Sequence, residues 1–134
     1  MNALLFNPMK TIFRSEYKVV LGDTLENLRN FENGKFDLII TSPPYNIGKE
    51  YETKKSIEKY LEQQEEIIEQ TIRVTSNKGS VCWQIGNYVE KGEVFPLDIY
   101  YYNIFKKHKL KLRNRIIWHF GHGLHASSRF SGRY

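Results

Sequence analysis

The sequence predicts an α/β fold with a mostly parallel sheet and helices on both faces. Two features lead there. Short runs rich in apolar and β-branched residues, at 17–21, 36–41, 80–85 and 113–120, alternate with stretches of helical periodicity. Strand–helix–strand units with right-handed crossovers make such strands parallel. The run Phe36-Asp37-Leu38-Ile39-Ile40-Thr41 is apolar enough to be covered on both faces.

In chain order, Tyr17-Lys18-Val19-Val20-Leu21 reads as a first strand ending at Gly22-Asp23. Asp23 and Glu26 have capping-box spacing for a short helix carrying Leu25, Leu28 and Phe31. Asn33-Gly34-Lys35 is a turn into the central strand. After a loop over 42–53, Ile57, Tyr60, Leu61, Ile67, Ile68, Thr71 and Ile72 recur at helical spacing. Ser56 can cap this helix, and Asn77-Lys78-Gly79 stops it. Residues 80–85 form a second core strand closed by Gly86-Asn87. Pro96 suits the first turn of a helix running to Lys109. Residues 113–120 form a third core strand centred on Ile116-Ile117-Trp118, and the Gly-, His- and Ser-rich remainder reads as loop.

The 134 residues amount to one domain's worth of chain with a modest core. Nothing is apolar for long enough to cross a bilayer, and residues 1–14 lack the pattern of a secretory signal. The single cysteine, Cys82, excludes an intrachain disulfide, fits a cytoplasmic setting and is expected to be buried. The net charge of +5 favours an anionic partner. The excess concentrates in Lys106, Lys107, Lys109, Lys111, Arg113 and Arg115, where aromatics nearby suit phosphate contact. A solvated helix face is the plainer account of any single lysine.

The central strand runs straight into Ser42-Pro43-Pro44-Tyr45-Asn46. Strand ends are where α/β sheets bind ligands. Two prolines fix φ and remove two donors, leaving a stiff loop rich in acceptors. Such a loop suits methylation of an exocyclic base amine, whose lone pair is delocalised into the ring. Ser42 Oγ and the Pro43 carbonyl could accept the amine's two hydrogens and aim its lone pair. The Tyr45 ring could stack on a base that has left the duplex. The alternatives are a surface proline turn or a polyproline ligand, and such ligands rarely follow a core strand.

Ser42-Pro43-Pro44-Tyr45, behind a core strand and ahead of Asn46-Ile47-Gly48-Lys49-x-Tyr51, resembles the catalytic motif of the amino-methylating DNA methyltransferases. The family pattern is Ser, Asp or Asn, then Pro-Pro, then an aromatic. The resemblance implies part of a Rossmann-like sheet that uses S-adenosylmethionine to methylate cytosine N4 or adenine N6 of double-stranded DNA, as in restriction-modification. It gives Ser42, Pro43, Pro44 and Tyr45 as catalytic, and Asp23 and Thr41 as cofactor-binding. Asn46, Lys49, Phe120 and His122 become candidate DNA contacts. Each has a plainer reading: Asp23 a helix cap, Lys49 a solvated charge, Phe120 a core residue, Gly86-Asn87 a strand-ending turn rather than a neighbour of the flipped base. His119, His122 and His125 recur every third residue, but zinc wants a fourth ligand, so no metal is expected.

The class that opens with the Pro-Pro motif carries its cofactor glycine motif, roughly Asp-Pro-Phe-x-Gly-x-Gly-Thr, nearer the C-terminus. These 134 residues contain no match to it. Residues 1–134 therefore read as one partial methyltransferase domain, without the glycine motif and target-recognition region. The expected partners are DNA and a C-terminal half or second subunit, with no membrane. A non-catalytic DNA-binding or assembly module is the alternative.

Overall fold

The structure, a computed structural model, describes residues 17–48, 50 and 53–118. The first helix, α1 (Thr24–Arg29), is capped by Asp23, whose Oδ1 accepts from the Leu25 and Glu26 amides at 2.9 and 3.1 Å. The chain turns at Gly34 (φ +67°) into β1 (Phe36–Thr41). Next comes α2 (Ile57–Val74), its start capped by the Ser56 hydroxyl on the Lys59 amide. The chain then passes directly into β2 (Thr75–Trp83).

β1 and β2 pair in parallel, with Leu38 opposite Ser80, Ile40 opposite Cys82 and Thr41 opposite Trp83. The register slips between Phe36 and Leu38, where Gly79 presses on the neighbouring strand. A Cβ on Gly79 would lie 2.7 Å from Thr75 Cγ2 and 3.0 Å from the Phe36 carbonyl oxygen. Only glycine permits that approach. A small antiparallel hairpin follows, β3 (Tyr88–Glu90) and β4 (Glu93–Phe95). Its two-residue turn, Lys91-Gly92, has positive φ at both positions (+50° and +84°), as tight hairpins favour. The last element is α3 (Leu97–Lys107), with Pro96 at its N-cap.

The core joins α2, α3 and the hairpin. Tyr60, Ile68, Tyr88, Leu97 and Tyr101 are buried together, and Trp83, Ile85, Phe95 and Phe105 pack against them. At the far end of α2, the Arg73 guanidinium ties the helix to α1. It donates to the Leu28 and Phe31 carbonyls at 2.7 and 2.8 Å and to Asn33 Oδ1 at 2.6 Å. The Leu28 carbonyl lies in the last turn of α1 and the Phe31 carbonyl just beyond its C-cap, Asn30.

The parallel α/β arrangement agrees with the sequence reading, and several local expectations do not. Residues 17–21 and 113–118 form no strand; Leu21 is 98% and Ile116 86% exposed. β-branched composition gives a segment strand propensity, but a strand needs a neighbouring strand for its amides and carbonyls. Neither segment pairs with one among the described residues. Helix α2 ends at Val74 rather than at residues 77–79, because Asn77-Lys78-Gly79 lies inside β2. Leu38, Ile40 and Cys82 share one sheet face and are exposed, so among the described residues β1 is covered on one side and Cys82 is not buried. The hairpin is an addition to the elements expected from sequence. No described helix is long and apolar enough to cross a membrane.

Candidate active site

The proline motif leaves the sheet where both strands end. Beyond the last register pair, the Gln84 amide still donates to the Thr41 carbonyl at 2.9 Å, which holds the base of the loop to β2. The loop then closes on itself: Ser42 Oγ and Tyr45 Oη are 2.8 Å apart, spanning the two prolines. Ser42 is exposed and Tyr45 half-buried, so this pair stands on the rim of the sheet. A hydroxyl oxygen carries two lone pairs and one hydrogen. Ser42 Oγ therefore keeps acceptor capacity whichever partner donates.

The loop is held from behind by the core. Tyr60, on α2, donates its hydroxyl to the Pro44 carbonyl at 2.7 Å. Tyr60 Oη also meets Tyr101 Oη, on α3, at 2.8 Å. Both tyrosines are buried, and the Trp83 ring packs on Tyr101 with centroids 5.7 Å apart. Burial, followed by its bond to Tyr60, pushes the Tyr101 phenol well above its ordinary pKa, so it remains protonated.

Gly86 supports the ring of Tyr45. A Cβ there would sit 3.4 Å from Tyr45 Cδ2 and Cε2, so the glycine backbone lies directly beside the aromatic. The loop then turns at Asn46, which adopts φ +60° and is only 2% exposed. Its side-chain amide donates to the Lys55 carbonyl and accepts from the Lys55 amide, both at 2.7 Å. This clasp anchors the far side of the loop next to the start of α2.

The chain that carries this loop has relatives among known proteins. The sequence pattern of the DNA methylase family matches residues 36–134, from the first residue of β1 onward. The chain belongs to this family. It is 45% identical over 118 residues to the Type II methyltransferase M.BglII of Bacillus subtilis, covering 87% of this chain and 33% of that protein. It is 36% identical over 115 residues to the Type II methyltransferase M.ScaI of Streptomyces caespitosus, covering 84% of this chain and 36% of that protein. Among solved structures, a candidate DNA modification methylase from Thermus thermophilus superposes with a TM-score of 0.54 at 26% identity, over 65% of this chain and 38% of that one. The chain thus spans about a third of the length of these two Type II relatives.

The structure of this DNA methylase chain brings together some of the residues expected at the site. Ser42, Pro43, Pro44 and Tyr45 form one loop at the end of β1, with Thr41 at its base. Asp23 caps α1 and is exposed, as the plainer reading had it, though its carboxylate still faces solvent. Asn46, expected as a DNA contact, is 2% exposed, and its side-chain amide bonds to the Lys55 backbone and shapes the loop. Gly86 lies against Tyr45, which ties the second strand's end to the motif itself. Lys49, Phe120, His122 and the other two histidines of the triple lie outside the described residues. Tyr60 and Tyr101 are site residues that the sequence does not single out. Tyr60 is visible there only as one apolar position on the helical face of α2. The pairing with Pro44 spans sixteen positions, a separation no local pattern reveals.

Proposed function

We propose that this chain is the catalytic half of an S-adenosylmethionine-dependent, site-specific DNA methyltransferase. Its target is an exocyclic amine, cytosine N4 or adenine N6, of a base turned out of the duplex. The observation that carries this is the Ser42–Tyr45 pair on the rim of a proline-stiffened loop, with its backbone fixed by buried groups behind it. Ser42 Oγ and the Pro43 carbonyl accept the two amine hydrogens, which favours a pyramidal nitrogen and directs its lone pair outward. The Tyr45 ring stacks on the extruded base, and Gly86 supports that ring from the side. Pro44 limits the loop's freedom, so these groups are in place before the base arrives. No general base is needed on the loop, because the methylated amine is acidic and sheds its proton afterwards.

An exposed carboxylate suits ribose hydroxyls, which donate hydrogen bonds. Asp23, with Thr41 at the strand end, would hold the cofactor, which supplies an electrophilic methyl group when bound. The glycine motif that would complete the pocket is expected from a C-terminal portion or second subunit. Lys106, Lys107, Lys109, Lys111, Arg113 and Arg115 supply positive charge for the phosphates of double-stranded DNA.

The test is transfer of labelled methyl from S-adenosylmethionine to duplex DNA by the chain with and without the C-terminal portion of a relative. Transfer is expected only with it. Tyr45→Ala should also weaken binding to a duplex with a mismatched target base by roughly 1–3 kcal/mol, the value of one stacked base. Absence of transfer in both arms, with equal DNA affinity for Tyr45→Ala and parent, would leave a non-catalytic module as the better reading.

A further inference from the structure

We propose that Tyr60 and Tyr101 are positioning residues for methyl transfer, forming a buried hydroxyl chain that sets the direction in which Tyr45 leaves the proline pair. This rests on the methyltransferase reading and adds residues from α2 and α3 to its site. A carbonyl only accepts, so the single hydroxyl hydrogen of Tyr60 goes to the Pro44 oxygen. Tyr101 must then be the donor in its contact with Tyr60. The order is Tyr101 O–H to Tyr60 O–H to the Pro44 carbonyl, a one-way chain from the core to the motif. Tyr101 is buried and its phenol is held protonated, so the first donor persists across the pH range in which such an enzyme works.

The geometry explains why one carbonyl matters. The two proline rings fix φ at Pro43 and Pro44, leaving ψ as the soft variable at each. Holding the Pro44 oxygen fixes the plane of the Pro44–Tyr45 peptide, from which the Tyr45 ring departs. The contact between Ser42 and Tyr45 closes the same loop on its outer side. Without the inner bond, ψ of Pro44 is released, and Ser42 and Tyr45 can shift together off the line needed for the amine. Small misplacements of this kind are costly because transfer requires near-contact alignment. Substrate affinity, which rests largely on phosphate contacts, should change little.

The experiment compares Tyr60→Phe and Tyr101→Phe with the parent, each joined to the C-terminal portion that restores transfer. Tyr60→Phe is expected to lower kcat by about tenfold to a hundredfold with KM for DNA changed by no more than about twofold; Tyr101→Phe should do the same more weakly. In a Tyr45→Ala background, Tyr60→Phe should lose most of its effect, since the two act through one loop. A readout independent of activity is available, because Pro44-Tyr45 is the one Pro-Tyr pair in the chain. Carbonyl-¹³C proline with ¹⁵N tyrosine labelling, confined to these 134 residues by ligating them to an unlabelled C-terminal portion, isolates that peptide in a single cross-peak, which should move in Tyr60→Phe. Unchanged kcat in a folded Tyr60→Phe overturns the proposal, whether or not the peak moves. A fall in kcat that is fully additive with Tyr45→Ala also overturns it. A parent that transfers no methyl even with the C-terminal portion overturns the function itself, and this proposal with it.

Discussion

The two faces of the β1–β2 pair differ sharply. On one, Trp83 and the half-buried Val81 look toward α2 and α3, and beneath them Tyr60, Ile68, Leu97 and Tyr101 are buried. On the other, Leu38, Ile40 and Cys82 stand exposed, as do residues 17–21 and Ile116, Ile117 and Trp118 elsewhere on the surface. The polar order is distributed in the same way. The bonds that shape the motif loop, from Tyr60 to Pro44 and from Asn46 to Lys55, reach it from the α2 side. The difference shows that the motif's rigidity derives from the covered side. Among the described residues, the open face adds only exposed apolar surface.

Paired truncations should break this comparison most visibly. Ile68 is fully buried against the core, whereas Ile40 is 70% exposed. Ile68→Ala is expected to destabilise the chain by about 2–4 kcal/mol, combining lost transfer energy with a cavity. Ile40→Ala should change stability by less than about 0.5 kcal/mol, as surface substitutions usually do. Urea unfolding with both variants measures the contrast. A loss of similar size at Ile40 would mean that its face is covered in solution.

A second, smaller effect is expected at Arg73. Its guanidinium meets two carbonyls, at and just beyond the end of α1, and the Asn33 side chain at once. Arg73→Ala should cost about 1–2 kcal/mol, since two half-buried carbonyls lose a charged donor and the tie between α1 and α2 goes with it. Arg73→Lys should recover little, because an ammonium cannot reproduce the planar fork. Full recovery by lysine, measured by thermal unfolding, would show that charge rather than geometry links α1 to α2.

The same division explains what can be read from sequence. β1, α2, α3 and the proline motif are legible because each depends on local signals: an apolar run, helical periodicity, Pro96 and a stiff loop. Residues 17–21 and 113–118 carry equally good strand composition. Their outcome depends on whether a neighbouring strand is present, which composition does not encode. Cys82 departs from expectation for the same reason, since alternation along β2 places it on the open face opposite Ile40. The hairpin is legible in principle, with Tyr88-Val89-Glu90 and Glu93-Val94-Phe95 alternating about Lys91-Gly92. At the site, the residues on the motif are visible in the sequence and those behind it are not. Tyr60 and Tyr101 resemble core aromatics on helical faces, and only the fold brings the Tyr60 hydroxyl to Pro44 and the Tyr101 hydroxyl to Tyr60.

The smallest expected effect lies at the start of α2, one turn from the tyrosine that holds the motif. The Glu58 carboxyl is held below its ordinary range by its own backbone amide and then by the Ser56 hydroxyl. This is the first turn of the helix, where orphan amides and the dipole favour negative charge. A carboxyl with a depressed folded-state pKa contributes stability above its unfolded value of about 4.3. That contribution is lost as pH falls through the lower folded value. Glu58 is exposed, so solvent screens the interaction and the effect should be slight. Glu58→Gln should therefore flatten the acid limb of a stability–pH curve below about pH 4 and leave the slope near neutrality unchanged. The acid limb of Glu58→Gln overlaying that of the parent would show that the start of α2 is fixed by the Ser56 cap and the buried face of the helix, without help from this carboxylate.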